Sequence, residues 1–187
     1  MSHRNRHQVY DLSQLRILIV DDSDHMLVIV RRLLTAMRIE TLWLAADAAE
    51  AFQMMQAQTP DLIVVDWNMI PLDGIDFIRL VRRGADSTCL DVPILLLTAH
   101  TEPHRVRAAR DAGVNHVLAK PVSFKSLYRA IVTIVDDKRP FVRSDAYVGP
   151  DRRWKKDVII DAERRGKITA KQPAKPVRRT IPQREGA

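Results

Sequence analysis

The sequence predicts an α/β fold: a doubly wound, five-stranded parallel sheet with helices on both faces. Three observations carry this. First, the short apolar runs Ile17–Val20, Leu62–Val65 and Ile94–Leu97 lack polar alternation, as strands buried on both faces require. Second, two weaker runs, Thr41–Ala45 and His116–Ala119, bring the set to five. Third, helical patterns separate the runs, giving five β–α repeats in about 120 residues.

Each helix has its own signals. Ser23 can cap a helix running to about Met37, with Met26, Val30, Leu33, Leu34 and Met37 on one face. Ala48–Ala57 is alanine-rich, and Pro60 follows its end. Gly74–Arg83 sets Ile75, Ile78, Leu80 and Val81 toward one side and ends at Gly84. Pro103–Ala112 opens on a proline suited to a first turn and stops at Gly113. Ser123–Val135 spaces Leu127, Ile131 and Val135 four apart.

Charge divides the chain. Residues 139–187 hold 14 Lys or Arg against 6 Asp or Glu, whereas the rest is nearly balanced, so the net +7 belongs to the C-terminal stretch. We therefore expect a polar N-terminal extension (1–14), one globular domain (15–138), and a short, mostly irregular basic tail (139–187). A short helix near Lys156–Arg165 fits the tail, with disorder from Gly166 onward. The lone Cys89 excludes an intramolecular disulfide and suits a reducing cytosol. The start lacks a signal peptide's apolar core, and no apolar run nears the roughly 18 residues of a membrane span. A cytoplasmic protein is expected.

In open parallel sheets, sites form at the carboxyl ends of strands. Just past the apolar runs stand Asp21 and Asp22, then Asp66, Thr98 and Lys120. Three carboxylates converging on one edge repel one another unless a cation intervenes. A hard divalent ion suits oxygen ligands, and Mg2+ fits because it binds few carboxylates and keeps waters. A carboxylate can attack a phosphoryl group already attached to a good leaving group, and the protein then supplies positioning and charge neutralisation. Lys120 and Thr98 suit that work.

These residues carry a resemblance. Ile17-Leu18-Ile19-Val20-Asp21-Asp22-Ser23 resembles the acidic-pair strand of bacterial response-regulator receivers, which are CheY-like domains. Asp61–Asp66, continuing to Pro71-Leu72-Asp73-Gly74, resembles their phosphoacceptor strand and loop. Leu97-Thr98-Ala99 and Leu118-Ala119-Lys120-Pro121 resemble the two remaining signatures, and all four stand in the right order. The resemblance implies a flavodoxin-like (βα)5 fold in a two-component phosphorelay, with phosphotransfer from a sensor histidine kinase or a histidine phosphotransfer protein. It implies Asp66 as acceptor, and Mg2+ held by Asp22 and Asp66, by Asp21 mostly through water, and by the backbone carbonyl of Asn68. It further implies Thr98 and Ala99 beside the phosphoryl group, Lys120 pairing with it, and a cis peptide before Pro121.

Some positions depart from the family or stand outside it. Three residues before Lys120, where the family usually has Tyr or Phe, this chain has Val117. His100 lies at the site mouth, where a group titrating near neutrality can affect water access, although a solvated loop histidine is the simpler reading. Trp67 is expected to be a partly exposed cover residue able to report metal or phosphate binding. Trp43, Met54 and Met55 read as core.

The tail carries no convincing helix-turn-helix or enzyme motif. The chain thus resembles a stand-alone receiver that acts on an unknown downstream target through protein–protein contact. Phe141–Trp154 resembles, more weakly, an extension of some stand-alone proteobacterial receivers. Beside simple solubilisation, three readings of the tail remain: nucleic-acid contact; capture of an anionic ligand such as a cyclic dinucleotide by Arg152, Arg153 and Trp154; and folding back of Phe141–Trp154 over the receiver, where it would mask or complete the output face. A phosphorylation-independent scaffold is the competing binding-module reading. A phosphohydrolase would need an acid–base aspartate two residues past the nucleophile, where Asn68 stands, so no turnover in trans is expected.

Overall fold

The computed structural model describes residues 10–84 and 89–153. The strands β1 (Arg16–Val20), β2 (Thr41–Ala45), β3 (Leu62–Asp66), β4 (Ile94–Thr98) and β5 (His116–Ala119) alternate with the helices α1 (Asp24–Ala36), α2 (Ala48–Ala57), α3 (Gly74–Arg83), α4 (Pro103–Ala112) and α5 (Phe124–Val135). All four strand pairings are parallel, in the order β2-β1-β3-β4-β5. The sheet separates two apolar layers. Leu18, Val20, Ile63, Val65, Ile94 and Leu96 face α2, α3 and α4, while Ile17, Ile19, Leu62, Val64, Leu95 and Leu97 face α1 and α5. β3 and β4 are buried along their whole length, which is why they read as unbroken apolar runs.

The helix starts follow the capping residues. Ser23, Asp47, Asp73 and Ser123 each accept a backbone N–H of the first turn through their side chains, at α1, α2, α3 and α5. α4 differs: Glu102 makes no side-chain cap bond, and Pro103 opens the helix. Gly113 ends α4 at φ 98°, the left-handed turn that glycine adopts without strain.

Two apolar assignments from the sequence fail. Leu80 is 48% exposed, and the inner face of α3 is made by Ile75, Phe77, Ile78, Val81 and Arg82. Val135 is also exposed, in the last turn of α5.

Within the stretch expected to be irregular, β6 (Phe141–Arg143) and β7 (Val148–Pro150) form an antiparallel hairpin. It folds back on the amino edge of the sheet, at the C-terminal ends of α3 and α4. Arg83 donates to the Ala146 carbonyl at 3.0 Å, Arg143 pairs with Asp91, and Arg152 pairs with Asp111. Tyr147 is buried and donates its hydroxyl to the Pro150 carbonyl at 2.7 Å. The hairpin approaches the α4–β5 turn so closely that a Cβ on Gly113 would lie 2.4 Å from the Val148 carbonyl oxygen. The helix expected near Lys156–Arg165 and the disorder expected beyond Gly166 lie outside the described residues.

Arg82 organises this edge. It is 1% exposed, and its guanidinium donates to the Gly113 carbonyl (3.1 Å), the Leu90 carbonyl (2.7 Å) and the Asn115 Oδ1 (3.2 Å). It also lies over the Phe141 ring, 5.3 Å from its centroid. Burial lowers its pKa to about 10, so it stays charged at neutral pH.

Candidate functional site

The parallel register brings the ends of β1, β3, β4 and β5 to one edge, opposite the hairpin. Asp21 and Asp22 follow β1, Asp66 and Thr98 close β3 and β4, and Lys120 follows β5. One oxygen each of Asp21, Asp22 and Asp66 lie within 4.8 Å of one another. Asp21 and Asp66 are buried, whereas Asp22 faces solvent.

Local bonds aim each carboxylate. Asp21 Oδ1 accepts the Ser23 N–H at 2.9 Å, tying the acidic pair to the cap of α1. Asp22 Oδ2 accepts the Ile70 N–H at 3.0 Å, joining the loop after β1 to the loop after β3. Asp66 Oδ1 accepts the N–H of Trp67 at 2.8 Å. The β3–α3 loop closes when the Gly74 N–H bonds the Trp67 carbonyl at 2.8 Å. A Cβ at Gly74 would stand 2.0 Å from the Asp66 carbonyl oxygen, so only glycine fits here.

Lys120 supplies the positive charge. Its Nζ is 2.9 Å from Asp66 Oδ1 and 3.4 Å from Asp21 Oδ2. Its backbone N–H bonds the Thr98 carbonyl at 2.7 Å, and the Lys120–Pro121 peptide is cis, as the resemblance implies. Burial raises the pKa of Asp21; the Ser23 N–H and Lys120 oppose that rise, and the charge of Asp66 adds to it. One ammonium among three carboxylates leaves an excess of negative charge. An all-oxygen cluster of this kind fits a hard divalent cation such as Mg2+.

Thr98 is fully buried, and its hydroxyl is held by the next loop, donating to the His100 carbonyl (3.1 Å) and accepting the His100 N–H (2.9 Å). The side chain of His100 is partly exposed, with Nδ1 3.7 Å from Glu102. Ala99 and Asn68 are exposed.

Trp67 departs from expectation. It is 8% exposed, not a partly open cover, and belongs to the same apolar cluster as Val117. The Arg105 guanidinium of α4 lies over its ring, 5.5 Å from the centroid. Nothing in the local sequence singles out Arg105 or Arg82. In the tail, Arg152 sits 3.9 Å from the centroid of the Tyr147 ring while paired with Asp111, and Arg153 is exposed. Both stand far from the carboxylate edge. Trp154 lies outside the described residues.

A five-stranded parallel sheet with an acidic cluster at its carboxyl edge defines an α/β class with a candidate divalent-cation site, and comparison with known proteins narrows it. Residues 17–132 match the response regulator receiver domain, and the chain belongs to that family. It is 34% identical over 122 residues to the chemotaxis protein CheY of Pseudomonas aeruginosa, covering 65% of this chain and 97% of that protein. It is likewise 34% identical over 113 residues to CheY-3 of Vibrio cholerae, covering 60% of this chain and 85% of that one. Among solved structures, Vibrio cholerae CheY4 superposes with a TM-score of 0.60 at 29% identity, covering 64% of this chain and 98% of that one. The flavodoxin-like receiver fold expected from the sequence is thus the fold observed. No helix among the described residues is long and apolar enough to cross a membrane.

Proposed function

We propose that this chain is a phosphorylation switch whose Asp66 accepts a phosphoryl group from a histidine kinase or a histidine phosphotransfer protein. The observation that carries the reading is the convergence of Asp21, Asp22 and Asp66 within 4.8 Å, with Lys120 Nζ 2.9 Å from Asp66. Asp66 is read as the acceptor because it closes β3 within reach of both the acidic pair and the Lys120 ammonium, which approaches it more closely than it does Asp21. Its carboxylate forms the new P–O bond as the P–N bond of phosphohistidine breaks, and the leaving imidazole takes up a proton from solvent.

Asp21, Asp22 and Asp66, with the Asn68 carbonyl, would hold Mg2+. When bound, the ion supplies charge neutralisation for the phosphoryl oxygens. Lys120 pairs with a second phosphoryl oxygen. The Thr98 hydroxyl exchanges its bond to the His100 carbonyl for one to the phosphoryl group. That exchange moves the β4–α4 loop and biases an existing equilibrium toward the state that binds a downstream protein.

The test is labelling with a small-molecule phosphodonor and Mg2+. Wild-type protein should be labelled, and Asp66→Asn should not. Undiminished labelling of the variant removes Asp66 as acceptor.

A further inference from the structure

α4 is the one helix of the five whose N-cap makes no side-chain bond. A helix start without a side-chain cap is weaker than a capped one. Two contacts tie this start to the site. The His100 backbone is bonded on both sides to the Thr98 hydroxyl, and Arg105, in the first turn, lies over the Trp67 ring.

Trp67 is itself tied to the acceptor. Its N–H is shared between Asp66 Oδ1 (2.8 Å) and the Leu97 carbonyl (2.9 Å). Its carbonyl takes the Gly74 N–H, so the residue is fixed at both backbone ends. Its ring is buried against the cluster that includes Val117. A change in charge or orientation at Asp66 therefore acts first on the Trp67 amide. The ring can respond only toward the side where Arg105 lies, because the other side is packed core.

We infer that the Trp67–Arg105 contact couples the state of Asp66 to the first turn of α4, making Arg105 a positioning residue for that helix. The inference rests on the reading of Asp66 as phosphoacceptor. Conversion of the carboxylate to an acyl phosphate removes its negative charge from Oδ1, weakens its hold on the Trp67 N–H, and draws Lys120 toward the phosphoryl group. The indole then shifts beneath Arg105, and the uncapped start of α4 follows. A cation over an indole is worth about the stability of one cap, so gaining or losing it is large against the few bonds holding this turn. Val117 is small, so β5 offers no ring at that position to carry the signal.

The experiment uses the full chain, as wild type, Arg105→Ala, Arg105→Lys and Asp66→Asn, with and without a phosphodonor plus Mg2+. Three quantities are read: the extent of labelling, hydrogen exchange of the amides of 104–112, and fluorine NMR of fluorotryptophan-labelled protein. Loss of one resonance in Trp67→Phe identifies the Trp67 signal among the three tryptophans. Arg105→Ala should be labelled like wild type. Its phosphorylation-dependent change in α4 exchange should shrink by roughly two- to fivefold, the equivalent of one exposed cation–π contact. Arg105→Lys, which keeps a cation over the ring, should restore most of the change. The Trp67 resonance should move on phosphorylation in wild type and move less in Arg105→Ala.

Comparing the phosphorylated with the unphosphorylated form of each variant separates coupling from general loosening of α4. Labelling of Arg105→Ala with an undiminished α4 response overturns the inference alone. Failure of wild type to label overturns the acceptor reading and the inference with it.

Discussion

The two edges of the one sheet handle charge in opposite ways. At the carboxyl edge, three carboxylates face one ammonium, and Asp22 is open to solvent. At the amino edge, charges are matched within the fold: Arg16 with Asp61, Arg139 with Asp137, Arg143 with Asp91 and Arg152 with Asp111. Arg82 is buried among carbonyl acceptors. An edge with unbalanced like charges is strained until a cation or phosphoryl group arrives, which suits a switch. An edge whose charges are satisfied internally contributes to holding the fold while the other edge changes state.

Removing Arg82 should give the largest effect on this contrast. Arg82→Ala leaves a cavity beneath Phe141 and strips donors from the Gly113 and Leu90 carbonyls. The cost should be about 3–5 kcal/mol in urea unfolding. The fraction still folded should be labelled by a phosphodonor like wild type. A folded Arg82→Ala protein that cannot be labelled would show that the edges are not independent.

Gly74→Ala should show the reverse pattern. Its Cβ would collide with the Asp66 carbonyl, so the loop must move. Stability should fall by roughly 1–3 kcal/mol. The labelling rate should fall on the order of tenfold or more, because small misplacements at a reacting group are costly. Equal labelling rates for this variant and wild type would mean that the loop geometry around Asp66 is not required.

The same contrast explains what the sequence revealed. The five strands and the residues at their carboxyl ends were legible because buried parallel strands are apolar on both faces, and because polar residues ending such runs stand out. Arg82 was not, although Ile75, Ile78 and Arg82 fall at i, i+3 and i+7, one helical stripe. Its charge argues for the surface, whereas Leu80, set on the apolar side by its chemistry, turns outward five residues beyond Ile75. Trp67 was expected to be partly open because the loop after a strand end usually is. Its cover, Arg105, comes from a helix far along the chain, which local sequence cannot show. The hairpin escaped because two strands of three residues carry too little periodicity. It is held by buried Tyr147 and by contacts to distant residues: Arg83 to the Ala146 carbonyl, Arg143 to Asp91, Arg152 to Asp111 and Arg82 over Phe141.

A pH series sharpens the contrast with a smaller effect. Arg16, bonding its side chain, holds the pKa of Asp61 below the ordinary 3.8. That stabilisation is present above 3.8 and is lost as pH falls through the lowered value. Asp21 runs the other way. Its pKa is raised by burial, so in metal-free protein its contribution is present below 3.8 and is lost as pH rises through the raised value. Asp61→Asn should therefore flatten the acid limb of a stability–pH curve. Asp21→Asn should remove the decline on the neutral side, raise the metal-free melting temperature, and weaken Mg2+ binding. If Asp21→Asn lowers the metal-free melting temperature instead, the carboxyl edge is not strained.

The smallest expected effect, and the one that bears on the tail, is that of Arg152→Ala. Sequence reasoning offered Arg152 as part of an anion site, together with Arg153 and Trp154. In the fold its guanidinium already pairs with Asp111 and covers the Tyr147 ring. Both contacts are internal to the fold, one to α4 and one to the hairpin, so Arg152 acts here as a clasp between β7 and the end of α4. The ion pair is largely exposed and the ring contact shallow, so the variant should lose less than about 1 kcal/mol. The loss should vanish in an Asp111→Ala, Tyr147→Leu background, which removes both the carboxylate and the ring. Binding of a cyclic dinucleotide or single-stranded nucleic acid, followed by titration at low salt, should not depend on Arg152 unless the clasp opens. If affinity falls while stability is unchanged, Arg152 faces a ligand rather than Asp111, and the amino edge is a second site of charge exchange instead of a closed one.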